Sequence, residues 1–133
     1  MANERLASAK QSGAMRITNG LVHIMSQYTG RGPTRARTTV NTNVVVAVFH
    51  ETLTKAEQNL VAAGNVEAVE FMRTSFDRLL RSEAISLVEG ILERKVVSML
   101  TDVDPDANIA LQAFILDPVP EDGIAATAEL SDA

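Results

Sequence analysis

The sequence predicts one two-layer α+β domain, a four-stranded antiparallel sheet with three helices in the order α-β-β-α-α-β-β. Two observations carry this. Long stretches place apolar residues at helical spacing, and short β-branched or aliphatic runs occur in pairs separated by Asn, Asp and Pro. A chain of 133 residues, 46% apolar and 22% charged, has the length of one globular domain and too many aliphatics for a disordered one. The expected organisation is a flexible or frayed N-terminus over 1–13, one domain over 14–117, and a disordered acidic tail over 118–133.

The first helix is read from Ala14 to Tyr28, because Ile17, Leu21, Ile24, Met25 and Tyr28 share one face and Gly30 supplies a stop. Pro33 bars its continuation. Thr34 to Val40 and the valine run Val44 to His50 then read as two strands of a hairpin, with Asn41-Thr42-Asn43 as the turn. The alternative is a single strand from Arg37 to His50, with Val40, Val44, Val46 and Val48 on one face. Thr54-x-x-Glu57 is a capping box, so a second helix should start at Lys55 and end near Gly64. Asn65 suits the N-cap of a third, Val66 to Glu93, whose apolar stripe runs from Val69 to Leu92. Val96 to Thr101 and Ile109 to Leu116 form the second hairpin, joined by a turn over Asp102 to Asn108. Apolar residues fall on both sheet faces: Val44, Val46 and Val48 on one, Val45, Ala47, Phe49, Val97, Met99, Phe114 and Leu116 on the other. Helices can cover only one face, so a homodimer or higher homo-oligomer is expected.

Composition narrows the function. Cysteine is absent, which removes disulfides, thiolate metal sites and thiol nucleophiles. No apolar run approaches the roughly 18 residues that span a bilayer, and Met1 to Lys10 lacks a secretory signal core, so a cytoplasmic location is expected. Residues 1–50 carry six Lys/Arg and one acid, whereas residues 51–133 carry six bases and sixteen acids. That basic end is centred on the segment from Gly30 to Arg37.

There, Arg31, Gly32, Thr34, Arg35 and Arg37 are the candidate ligand- or partner-binding residues. Glycines let backbone amides approach a ligand, and arginine forks match phosphate or carboxylate oxygens. The spacing is not that of a phosphate-binding P-loop, and the segment precedes a strand. The alternative is a tight turn whose arginines pair with acids of the long helix, such as Glu70, Asp77 or Glu83. Nucleic acid is disfavoured by a pI near 5.0 and 4% aromatics.

Asp102, Asp104, Asp106 and Asn108 resemble the opening of a calcium loop, but Ala107 and Ala113 stand where its glycine and closing glutamate belong, so no metal site is expected. His23 and His50 have no local co-ligands. The paired Glu89 and Glu93 are explained by solvent exposure, and no serine nucleophile motif occurs. No catalytic residue, enzyme activity or cofactor is therefore assigned.

The assembled segment Tyr28-x-Gly30-Arg-Gly-Pro-Thr-x-Ala36-Arg37 resembles the MpsC family of small bacterial proteins, named after a Na+-translocating, membrane-potential-generating system. The Val44 to Val48 strand, Leu53-Thr54-x-x-Glu57, Ala63-Gly64 and Arg94-Lys95-Val96 extend the resemblance over about Gln11 to Pro118. Asn41-Thr42-Asn43 departs from the acidic pair expected before the valines. The resemblance implies a small soluble accessory protein linked to membrane potential or to ion and bicarbonate handling, and it supplies no catalytic residues. A regulatory role is the expectation, with a membrane protein or a small anion as the candidate partner beyond the homo-oligomer. Binding of a small anion, nucleotide or nucleic acid through the Gly30 to Arg37 turn is the alternative.

Overall fold

The computed structural model describes residues 2–118 and Leu130, with side chains described from Gly13 onward. Its elements are α1 (Ala2–Thr29), β1 (Arg35–Val40), β2 (Val44–His50), α2 (Lys55–Ala62), α3 (Val66–Leu92), β3 (Val96–Asp104) and β4 (Ile109–Leu116), the α+β order expected from the sequence. The acidic tail foreseen over 118–133 lies almost wholly outside the described residues. Helix α1 begins at Ala2, twelve residues before the start its apolar stripe suggests. The apolar stripe from Ile17 to Met25 is the part of α1 that packs into the core.

All four strands pair antiparallel, in the order β1-β2-β4-β3. The second hairpin therefore docks by its later strand, and β1 and β3 form the edges. Composition suits this order. The central strands β2 and β4 are almost wholly apolar, whereas β1 carries Arg35 and Arg37 and β3 carries Asp102 and Asp104, charges that discourage edge-to-edge association.

The Asn41 to Asn43 turn is real, closed by the Asn41 amide donating to the Val44 carbonyl. It sets Val40 opposite Val45, on the helix-facing side, and so overturns the single-strand alternative that grouped Val40 with Val44. The turn between β3 and β4 is shorter than expected. Asp102 and Asp104 remain in β3 because their carboxylates alternate outward on an edge strand, and the chain reverses over Pro105 to Asn108.

Helices α1 and α3 cover one face, and α2 packs on α3. Ile17, Leu21, Ile24 and Met25 from α1 and Leu80, Ala84 and Val88 from α3 bury Val45, Ala47, Phe49, Met99, Phe114 and Leu116. At roughly 25 cal/mol per Å² of apolar surface, each fully buried Phe or Leu there contributes about 1.5–3 kcal/mol. The other face carries Val44, Val46, Val48, Ile109, Ala113 and Ile115, all half-exposed, and Leu111 and Leu100 more open still. Val97, grouped by alternation on one face with Val45, Ala47 and Phe49, is exposed whereas those three are buried, because the ladder shifts register between Val96 and Ser98.

The capping box at Thr54 and Glu57 forms as read. Asn65 occupies the N-cap position of α3, but its side chain makes no capping hydrogen bond. Helix α3 ends at Leu92, one residue before the expected limit, with Glu93 left-handed as its C-cap.

Candidate functional site

The turn from Gly30 to Arg37 joins α1 to the free edge of the sheet. Gly30 has φ +76°, a left-handed conformation that ends α1 while its amide still donates to the Ser26 carbonyl. At Gly32 a Cβ would stand 2.8 Å from Ser26 Oγ, so glycine lets the loop lie against the helix. Both glycines are accounted for by chain geometry. The Thr34 amide then donates to the His50 carbonyl, 3.0 Å away, and starts β1 against β2.

The arginines diverge. Arg31 is half-buried, and its Nε donates to the Glu51 carbonyl at 3.2 Å, tying the turn to the end of β2. Arg35 is exposed and lies against the His50 ring, with one guanidinium nitrogen 3.4 Å from Nδ1 and 3.5 Å from Nε2, near both nitrogens as in stacking. Arg37 is exposed at the edge of β1. Among the described residues none of the three forms an ion pair, which overturns the expectation that they pair with Glu70, Asp77 or Glu83. The reason is position. Helix α1 stands over β1 whereas α3 lies over β3, and Arg35 and Arg37 point to the opposite face of the sheet. Glu83 instead accepts from the Tyr28 hydroxyl, a bond that raises the pKa of the phenol.

Of the five candidate residues, Thr34 and Arg35 share a hollow of about 330 Å³ with His50, Glu51, Ala107 and Asn108. Arg37 lines a second hollow along the free edge of β1, beside Met15 and Thr18. Arg31 and Gly32 line neither hollow. The turn thus presents separate exposed guanidinium groups and no closed anion cradle.

A buried charged cluster escaped the sequence reading. Arg73, 5% exposed, donates to both oxygens of Glu57 at 2.8 and 2.6 Å and to the Thr52 carbonyl at 2.6 Å. Burial pushes the Glu57 carboxyl up, but hydrogen bonds from Arg73 and Thr54 outweigh it and hold the pKa below the usual carboxylate range. Glu57 therefore caps α2 and neutralises Arg73 at once. Nearby, Asp77 has its pKa raised, first by burial and further by Asp102, against a hydrogen bond from Thr101 and the charge of Arg73. A cavity of about 20 Å³, room for one water-sized group, lies among Arg73, Asp77 and Gln112. Arg94 bridges the carbonyls of Thr42 and Asp117 and donates to Asn43 Oδ1, clasping the β1–β2 turn to the end of β4.

No group of three or more His, Asp or Glu side chains among the described residues could hold a metal ion. Asp102 and Asp104, read as the start of an incomplete calcium loop, project from an edge strand, and Asp104 accepts from the Ala107 amide. No described helix is long and apolar enough to cross a membrane. On α3, Phe71 is 76% and Leu79 62% exposed, on the side turned away from the sheet.

A family model described as Na+-translocating membrane potential-generating system (MpsC) matches residues 9–118, close to the span inferred from the turn and its flanking motifs. Comparison with curated proteins and with solved structures gave no match.

Proposed function

The chain belongs to the MpsC family, and from that membership we propose that it is a non-enzymatic, homo-oligomeric accessory protein of a Na+-translocating, membrane-potential-generating system. It works by protein contact from the cytoplasmic side, and bicarbonate handling coupled to the same ion gradient falls within this role. The observation that carries the reading is the family match, which spans every described element except the first turns of α1. Two exposed surfaces support it: the apolar sheet face rimmed by Arg35 and Arg37, and the outward side of α3 at Phe71 and Leu79. They lie on opposite sides of the molecule, so one can self-associate while the other meets a membrane-protein partner.

The test is a bacterium that carries both this chain and the transport system. Deleting the chain should lower the Na+-dependent membrane potential reported by a cationic dye, and the wild-type chain should restore it. A potential indifferent to the deletion would remove the reading.

Anion or nucleotide binding through Arg31, Gly32, Thr34, Arg35 and Arg37 is the second reading, favoured by the open hollow beside Thr34 and Arg35. Glu51 on its wall opposes an anion. A melting temperature raised by millimolar phosphate or nucleotide in the wild type but not in Arg35→Ala would support it, and equal temperatures in both would dismiss it.

A further inference from the structure

We propose that a second copy of this chain covers the open sheet face, sheet against sheet, about a two-fold axis parallel to the strands. Arg35 and Arg37 of each copy then meet Asp104 and Asp102 of the other. This rests on the reading of the chain as an oligomeric accessory protein and names the partner at its arginine edge.

The face has the composition of a core. Its centre is Val46 and Val48 of β2 beside Ala113 and Leu111 of β4, and Leu100 of β3 is 59% exposed on the same side. An antiparallel sheet that leaves one face in water normally carries polar residues there. Four strands by seven residues make a patch of roughly 19 by 23 Å, the size of one layer of a small β-sandwich.

The rims choose the occupant. Two of the three outward positions of one edge strand are Arg35 and Arg37, the third being Thr39, and two of those on the opposite edge strand are Asp102 and Asp104. The register sets them in the same two rows across the sheet, Arg37–Val48–Leu111–Asp102 and Arg35–His50–Ile109–Asp104. A two-fold axis parallel to the strands, lying between two stacked sheets, keeps each row opposite itself and exchanges the edges. Every basic edge position then faces an acidic one in the same row. An axis perpendicular to the strands would set arginine against arginine and aspartate against aspartate. Stacked sheets cross at about 30° because each is twisted, an offset that long arginine side chains can span. Among the described residues these four side chains form no ion pair within the chain; Asp102 and Asp104 each accept one backbone amide through Oδ1, and Arg35 lies against the His50 ring, so their charges are not neutralised inside the chain. The contact is isologous and closes at two subunits.

Sedimentation of the full chain at micromolar concentration tests the arrangement. The expected species is a dimer of 14.3 kDa subunits, weakened by added salt. Arg35→Asp/Arg37→Asp and Asp102→Arg/Asp104→Arg each place like charges opposite one another, and each should raise the Kd roughly tenfold or more. Mixing the two variants should restore a tight heterodimer, and one chain carrying all four reversals should again self-associate. These positions are exposed, and circular dichroism verifies that each variant is folded. A monomeric wild type, a dimer indifferent to the reversals, a dimer strengthened by salt, or growth beyond two subunits would overturn the proposal. A monomer that dimerises only after truncation behind Pro118 would assign the face to the chain's own C-terminal segment, with the same consequence. A monomer in a cell whose potential still depends on the chain would end the dimer and leave the accessory role standing. A dimer without effect on the potential would do the reverse.

Discussion

Replacing Arg73 by methionine should be the most damaging single change of a polar side chain in the protein. Arg73 is 5% and Glu57 1% exposed, and their contact is the sole salt bridge among the described residues. Methionine keeps much of the volume but leaves a buried carboxylate facing an apolar chain and strips the Thr52 carbonyl of its donor. Breaking a buried pair from one side costs about 3–5 kcal/mol, a large part of the 5–15 kcal/mol that holds a domain together. For a chain of this size that is a fall in Tm on the order of 10–20 °C. Thermal and urea unfolding followed by circular dichroism, at one fixed protein concentration, would read it. The pH dependence supplies a second signature. In the wild type Glu57 has a lowered folded pKa, so its stabilisation is present above the unfolded value and is lost as pH falls through the folded one. Without Arg73 only burial and the Thr54 bonds remain, the folded pKa rises, and protonation relieves the strain, so the deficit should be greatest near pH 7 and shrink in acid. A loss below about 1 kcal/mol, or one that does not change with pH, would refute the assignment of Arg73 and Glu57 as a buried charge pair.

Three further outcomes follow from the same geometry. Asp77→Asn should raise stability at neutral pH, since burial raises the folded pKa of Asp77; the advantage over wild type should shrink as pH falls through that pKa, where the native aspartate gains its proton. Gly30→Ala should cost about 1–2 kcal/mol from its left-handed backbone alone, because no other atom lies within 4 Å of the added Cβ. Asn108 has φ +56° and its Oδ1 accepts from the Leu53 amide, so Asn108→Ala should cost about 2 kcal/mol, and Asn108→Gly should recover the backbone part without the hydrogen bond. Denaturant titration reads the last two.

Each strand and helix was legible because its signal is local. The alternation of β2, the stripe of α3 and the capping box at Thr54 depend on neighbours within a few positions. Acidic residues misled at Asp102 and Asp104, where an edge strand tolerates them, and a β-bulge moved Val97 off its alternation. The candidate turn was visible through its glycines and arginines, yet their destinations were not. Arg31 folds back to a carbonyl twenty positions away, Arg35 meets His50, and Arg37 lies at the sheet edge. Arg73 left no trace at all, because in a helix it reads as one more surface base.

What the order of residues determined is the list of elements, the apolar side of each, and the junction where glycines end a helix and turn it into the sheet. What only the tertiary structure decided is which strand became an edge, which face stayed open, and which charges found partners. Those properties depend on residues far apart in the chain. Arg37 and Asp102 fall in one row across four strands only after both hairpins have docked in register. Local propensity cannot express that alignment, because it acts over a few positions whereas the row joins residues 65 positions apart.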